Sequence, residues 1–111
     1  MNARDAHRIL EGMRLQTGSS RGEESLLQEG PVAWVTLSNP SARNAMTVHM
    51  MTQLAQVVVS LSESEPELVV LKGEGNTFCS GGDLREVQEH LLDGDGGYQM
   101  SRAMTAVLDQ W

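Results

Sequence analysis

Apolar side chains at Ala6, Ile9, Leu10 and Met13 recur at i, i+3, i+4 and i+7, the spacing of one face of a short amphipathic helix. The polar stretch Thr17-Gly18-Ser19-Ser20-Arg21-Gly22 ends that pattern and reads as a flexible break. Beyond it the period changes. Glu24-Ser25-Leu26-Leu27-Gln28 predicts a short strand, Glu29-Gly30-Pro31 a turn, and Val32-Ala33-Trp34-Val35-Thr36-Leu37-Ser38 a second strand rich in β-formers, together a hairpin. Asn39-Pro40 stops it, because proline restricts the residue before it and has no N–H for a ladder. Thr47 then stands where it can cap a helix whose Met50, Met51, Leu54, Val57, Val58 and Leu61 form a continuous apolar stripe, closed by Pro66. Leu68-Val69-Val70-Leu71 is an unbroken apolar run, the pattern of a strand buried on both faces. Strand, helix and strand in that order predict a right-handed parallel crossover.

The segment from Gly73 to Gly82 is too glycine-rich and polar for a regular element. From Asp83 the helical period returns, with Leu84, Val87, Leu91 and Leu92 on its inner face, until Asp93-Gly94-Asp95-Gly96-Gly97 breaks it. A last helix runs from about Tyr98 through Met100, Met104, Val107, Leu108 and Trp111. The pattern describes an α/β unit over residues 23–111 preceded by an extension over residues 1–22.

Charge separates the same two parts. In residues 1–21 four arginines stand against Asp5 and Glu11, giving +2, whereas the remaining residues, with four basic and thirteen acidic side chains, give −9. An arginine-bearing amphipathic start is one mark of an organelle transit peptide, but its two acids argue against that, so a cytoplasmic protein is expected, with mitochondrial targeting as the alternative. The overall net charge of −7 disfavours general binding to nucleic acid or anionic membranes, which needs concentrated positive charge. At 111 residues the chain allows one small domain or part of a larger one. The single Cys79 excludes an internal disulfide framework and a multi-cysteine zinc site. No apolar run approaches the roughly 20 residues that span a bilayer.

The chemistry concentrates in the loop after the apolar strand. Ligands of open α/β folds bind beyond the carboxyl ends of parallel strands, and here such an end leads through Gly81-Gly82 into a helix start. Paired glycines let a substrate approach the main chain, and unpaired N–H groups at a helix start stabilise an anion. That anion is either a bound phosphate or an oxyanion formed during reaction. A dinucleotide loop fits poorly, because Phe78 occupies the third glycine position, and no Gly-Lys-Ser/Thr of a phosphate loop follows.

Ser38-Asn39-Pro40 with Arg43-Asn44-Ala45-Met46, followed by Phe78-Cys79-Ser80-Gly81-Gly82-Asp83-Leu84, closely resembles the crotonase (enoyl-CoA hydratase/isomerase) family over residues 24–111. The resemblance implies the N-terminal half of a crotonase-like ββα spiral core, an incomplete one, with a short N-terminal extension. It implies acyl-CoA thioesters as substrates, coenzyme A entering as part of the substrate and no separate cofactor. Gly82 matches the first of two main-chain N–H groups that hold the thioester oxygen as enolate character develops. Arg43 and Ala45 match the loop near the CoA nucleotide, and Ser80, Gly81, Asp83 and Leu84 match the remainder of the CoA-binding segment. The family's second oxyanion donor and its acid/base residues come from a later glycine-rich segment, so these 111 residues are expected to be inactive alone, within a longer homo-oligomeric enzyme. Hydration, isomerisation, decarboxylation and thioester hydrolysis all stay open, and the Cys-Ser-Gly-Gly-Asp-Leu run is also similar to the family's small-acyl-CoA decarboxylases. The alternative is a non-catalytic CoA-binding or interaction module.

Other polar candidates have plainer readings. Cys79 lacks a neighbouring histidine base and reads as a small hydrophobe. Asp83 at a helix start favours capping. His49, and His90 on a charged face with Glu86 and Glu89, lack metal-ligand spacing and read as solvated or capping groups. Trp34, Trp111 and the methionine pairs read as packing, and Glu63, Glu65 and Glu67 as a solvated helix end.

Overall fold

In the computed structural model, which describes residues 1–86, 88–89 and 96–109, the hydrophobic pattern becomes a three-stranded sheet carrying helices on one face. Helix α1 (Ala3–Thr17) starts at Asn2, whose side chain accepts from the Asp5 N–H at 2.8 Å, and ends at Gly18 in the left-handed conformation. Strands β1 (Glu23–Glu29) and β2 (Val32–Ser38) form the hairpin, Leu26 opposite Val35 and Leu27 opposite Trp34. Helix α2 (Val48–Ser64) is capped by Thr47, whose hydroxyl accepts from the Met50 N–H at 3.1 Å. Strand β3 (Leu68–Gly73) returns parallel to β2, which is therefore the central strand of the order β1-β2-β3. A single described turn, α3 (Leu84–Glu86), and a last helix, α4 (Gly96–Leu108), complete the chain.

The core lies between the inner face of the sheet and α2. Ala33, Val35 and Leu37 of β2 point into it, where they meet Met50, Met51, Leu54, Ala55 and Val58, the stripe expected for that helix. Helix α1 packs against both α2 and α4, with Ala6 and Leu10 fully buried, so the N-terminal segment is part of the packed core rather than an appendage to it. On α4 the buried positions are Ala103, Ala106 and Val107, with Met100 and Met104 packed beside them.

Four expectations change. Strand β3 is not buried on both faces: it is an edge strand, Leu68 is 55% exposed, and Val69, Val70 and Leu71 are only half-buried because no described element pairs with its outer edge. Trp34 is 37% exposed, since strand alternation puts it with Leu27 and Val70 on the sheet face away from the helices. Tyr98 and Leu108 are exposed, because the small residues of α4 give the closer approach to α1. The break at Thr17–Gly22 is anchored: Ser19 is buried, and the Arg21 carbonyl accepts from the Thr47 hydroxyl at 2.6 Å. The readings made for Val87, His90, Leu91, Leu92, the Asp93-Gly94-Asp95 break and Trp111 lie outside the described residues.

A carboxyl side chain sits in the core without a partner among the described residues. Glu24 shares the inner face of the sheet with Leu37, and both of its carboxyl oxygens are buried with no hydrogen bond among the described residues. Burial pushes its pKa up from 4.5 to about 8. A folded-state pKa above the unfolded one means that the native state holds the proton more tightly. Its stabilising effect is therefore full below the unfolded pKa and is lost as the pH rises through the folded one. Urea unfolding at pH 5 and pH 8 should show this group lowering stability by about 2–4 kcal/mol across that interval. Glu24→Gln should remove that part of the slope; a variant with the parent's pH dependence would show that Glu24 does not carry it.

Candidate functional site

Two loops meet beyond the carboxyl ends of β2 and β3, and a buried amide joins them. Pro40–Ala42 form a 3-10 turn after β2, and Arg43 and Asn44 follow in the left-handed region with φ of 51° and 58°. Asn44 is 1% exposed. Its Oδ1 accepts from the Asn39 N–H at 2.8 Å, and its Nδ2 donates to the carbonyls of Glu74 at 2.9 Å and Thr77 at 2.6 Å. Asn39 closes the first loop by donating from Nδ2 to the Ala45 carbonyl at 2.9 Å. The second loop folds back tightly on β3: a Cβ on Gly73 would lie 2.4 Å from the Thr77 and Phe78 carbonyl oxygens, so that position requires glycine.

The loops are then stitched by a short parallel bridge. The Met46 N–H donates to the Gly81 carbonyl at 2.8 Å and the Asp83 N–H to the Met46 carbonyl at 2.9 Å. Gly82 lies between these bonds. Its own N–H makes no hydrogen bond among the described residues and faces no crowding, since a Cβ there would meet open space. Gly81 has φ of +107°, a conformation that favours glycine.

Gly82 opens onto a cleft of about 410 Å³ whose walls include Arg21, Arg43, Arg85, Ser80 and Asp83. Every residue singled out from the two motifs gathers here except Gly81, which borders Gly82 in the chain. Ala45 is buried at the base of the cleft, and Ser80 is exposed with its hydroxyl donating to the Ala42 carbonyl at 3.1 Å. Arg43 is exposed. Leu84 also lines the cleft but is 75% exposed, a correction to its expected inward position. The inward position of α3 is taken by Glu86, 4% exposed, whose Oε1 accepts from the Val48 N–H at 2.7 Å and whose Oε2 accepts from the Ser19 hydroxyl. Glu86 is thus not the solvated charge that its spacing suggested. Asp83 caps the turn as expected, its Oδ1 accepting from the Glu86 N–H at 3.1 Å. It is the only carboxylate of the cleft wall among the described residues, and Arg21 lies 3.6 Å from it. The Gly82 N–H, without a hydrogen bond among the described residues, stands next to this capped turn.

Cys79 is half-buried, and its Sγ accepts from the Gly81 N–H at 3.4 Å. The His49 N–H donates to the Ser19 hydroxyl at 3.1 Å, while its ring Nδ1 is buried with no hydrogen-bond partner among the described residues. No group of three or more potential metal ligands occurs among the described residues. No helix among them is long and apolar enough to cross a membrane.

A family model described as enoyl-CoA hydratase/isomerase matches residues 32–110. The chain belongs to that family. Among curated relatives, it is 35% identical over 85 residues to the mitochondrial 3-hydroxyisobutyryl-CoA hydrolase of Homo sapiens, covering 73% of this chain and 22% of that protein. It is 33% identical over 87 residues to the ethylmalonyl-CoA decarboxylase of Mus musculus, covering 78% and 27%. The fold matches Pseudomonas aeruginosa AtuE with a TM-score of 0.67 and 25% identity, over 78% of this chain and 34% of that one. The chain spans about a fifth of the length of the 3-hydroxyisobutyryl-CoA hydrolases it matches. It carries the N-terminal part of the crotonase fold, and the resemblance of its two motifs to that family is confirmed.

Asn44 is the residue whose role the motif alone did not show. Asn44→Ala removes one acceptor and one double donor from three main-chain groups, one buried and two part-buried, and should lower the unfolding free energy by about 2–4 kcal/mol. Ser80→Ala, at an exposed hydroxyl, should stay within about 0.5 kcal/mol. Urea unfolding of the two variants checks the contrast.

Proposed function

We propose that the chain carries the CoA-nucleotide loop and the first oxyanion donor of an acyl-CoA-processing enzyme. The observation that carries this is the unpaired Gly82 N–H at the edge of a cleft walled by Arg43 and Ala45. An acyl-CoA thioester would lie with its carbonyl oxygen toward that N–H, so that negative charge developing on the oxygen in the enolate meets a donor already in place. A preorganised donor costs no reorganisation at the moment of reaction, and one such N–H contributes roughly 3–4 kcal/mol. Arg43 would meet a phosphate of the CoA nucleotide, and small Ala45, with the main chain of Ser80 and Gly81, would admit the adenine. Asp83, engaged with the Glu86 N–H and near Arg21, acts in this scheme by holding the loop and not by moving protons.

The relatives' names support the substrate class, since a hydrolase and a decarboxylase both act on short acyl-CoA esters by their titles. The step those reactions share with hydration and isomerisation is charge development on the thioester oxygen, and the proposal is for that step. Coenzyme A belongs to the substrate, and no other cofactor is called for. The acid/base residues and the second donor would come from a longer parent enzyme, acting as a homo-oligomer. A cytoplasmic setting fits the packing of α1, whose cleavage as a transit peptide would uncover apolar faces of α2 and α4.

Calorimetric titration of the chain with acetyl-CoA should show binding, weakened roughly 5- to 20-fold by Arg43→Gln, the loss of one exposed charged contact. In a longer parent, Gly82→Pro, which deletes the N–H, should lower turnover of a short enoyl-CoA or 3-hydroxyacyl-CoA by about 100-fold or more. Gly82→Ala keeps the N–H and has open space for its methyl group, so it should stay within a few-fold. Equal activity in the two variants would remove Gly82 from the mechanism, and acetyl-CoA binding without turnover in the longer parent would favour a non-catalytic CoA-binding module.

A further inference from the structure

The segment ahead of β1 reaches the Gly82 loop through a buried polar cluster. Ser19, Glu86 and Asp83 are all buried, and Ser19 lies outside the residues matched by the family model. The first turn of α2 presents main-chain N–H groups that its own helix cannot satisfy. Thr47 takes the Met50 N–H, the Glu86 carboxylate takes that of Val48 at 2.7 Å, and the Ser19 hydroxyl takes that of His49 at 3.1 Å. Ser19 in turn donates to Glu86 Oε2, and Arg21 Nη2 lies 3.9 Å from the same oxygen and 3.6 Å from Asp83 Oδ1. A negative carboxylate at the N-terminus of the 17-residue α2 is also favoured by the helix dipole.

Gly82 has no side chain to hold it, and its neighbour Gly81 is free of the usual steric limits. Its amide is therefore aimed by what fixes the residues on either side. On one side that is the bridge to Met46; on the other it is Asp83, tied to Arg21 and, through the Glu86 N–H, to the cluster. We propose that Ser19, Arg21 and Glu86 form a latch by which the segment before β1 positions the Gly82 N–H, with Ser19 and Glu86 as positioning residues and not catalytic ones. The assignment rests on the reading of Gly82 as the donor for an acyl-CoA oxygen. It makes the first 22 residues part of the site's machinery, although the motifs begin well after them.

The test is residue-resolved amide hydrogen exchange on the 111-residue chain, together with acetyl-CoA titration. Ser19→Ala removes one hydroxyl and leaves the main chain intact, so it is the mild variant; Glu86→Gln is the severe one and is not needed for the decision. Ser19→Ala should speed exchange at the Asp83 N–H by tenfold or more while leaving Val35 in the central strand unchanged, and should weaken acetyl-CoA binding several-fold. Arg21→Gln should act in the same direction and less. Unchanged exchange at Asp83 would overturn the latch, as would equal acceleration at Asp83 and Val35, which marks general loosening of the fold. A loosened Asp83 with undiminished acetyl-CoA affinity would overturn its coupling to the site. If the parent chain takes up no acetyl-CoA at all, the reading of the cleft fails, while the exchange comparison still decides whether the segment holds the loop.

Discussion

The side-chain amide of Asn44 is the constraint on which the site depends. Two loops that leave different strands have to meet at a fixed distance, and neither has the regular hydrogen-bond ladder that would hold it. One planar amide supplies an acceptor to Asn39 and two donors to Glu74 and Thr77, so three main-chain groups are satisfied by a single buried side chain. Its left-handed backbone is tolerable for asparagine, which visits that region more readily than most residues. With the loops joined, the Met46 bridge falls into register and Gly82 is left between two pinned bonds, its own N–H unspent among the described residues. The free donor is thus a product of how fully its neighbours are paired.

Most of the fold was legible because it rests on period and punctuation. The hairpin, the Thr47 cap, the stripe of α2 and the parallel return of β3 all follow from local pattern, and each occurs where that pattern put it. The departures share a cause: apolar sequence reports what a residue tolerates, while burial depends on what lies opposite. Leu68 to Leu71 carry the pattern of an inner strand but sit at an edge, and Trp34 faces away from the helices with Leu27 and Val70. The α1 stripe was visible, but its partners, α2 and the small-residue face of α4, were distant in the chain.

The site was legible to a different depth. The two motifs pointed to the residues of the cleft wall, and the structure does bring Arg43, Ala45, Ser80 and Gly82 to one place. Polar residues that act by being buried were invisible in that reading. Glu86 looked like one member of a charged helix face, and Ser19 like part of a flexible linker. Each is buried because the other, with the free N–H groups of α2, satisfies it across 67 positions of chain. No local pattern flags Glu86, which stands in the sequence with Glu89 and His90 on a charged face, and none marks Ser19.

Charge shows the same dependence on placement. The chain is acidic overall, at −7, yet three of its eight lysine and arginine side chains, Arg21, Arg43 and Arg85, border one cleft. At physiological ionic strength, exposed charges are screened beyond about 8 Å, so the far-off acids weigh little there against arginines at the wall. Net charge therefore bears on long polyanions, which need an extended basic surface, and says little about a single small anion. Of the three arginines, Arg21 lies closest to carboxylates, between Asp83 and Glu86, while Arg43 and Arg85 are exposed. The first is partly neutralised by the loop it braces, so the positive field of the cleft is set mainly by the other two. On the function proposed for this cleft, an anionic ligand would be drawn toward the Arg43 and Arg85 walls, leaving the Gly82 N–H, which carries only a partial charge, to a group that becomes negative after it has arrived.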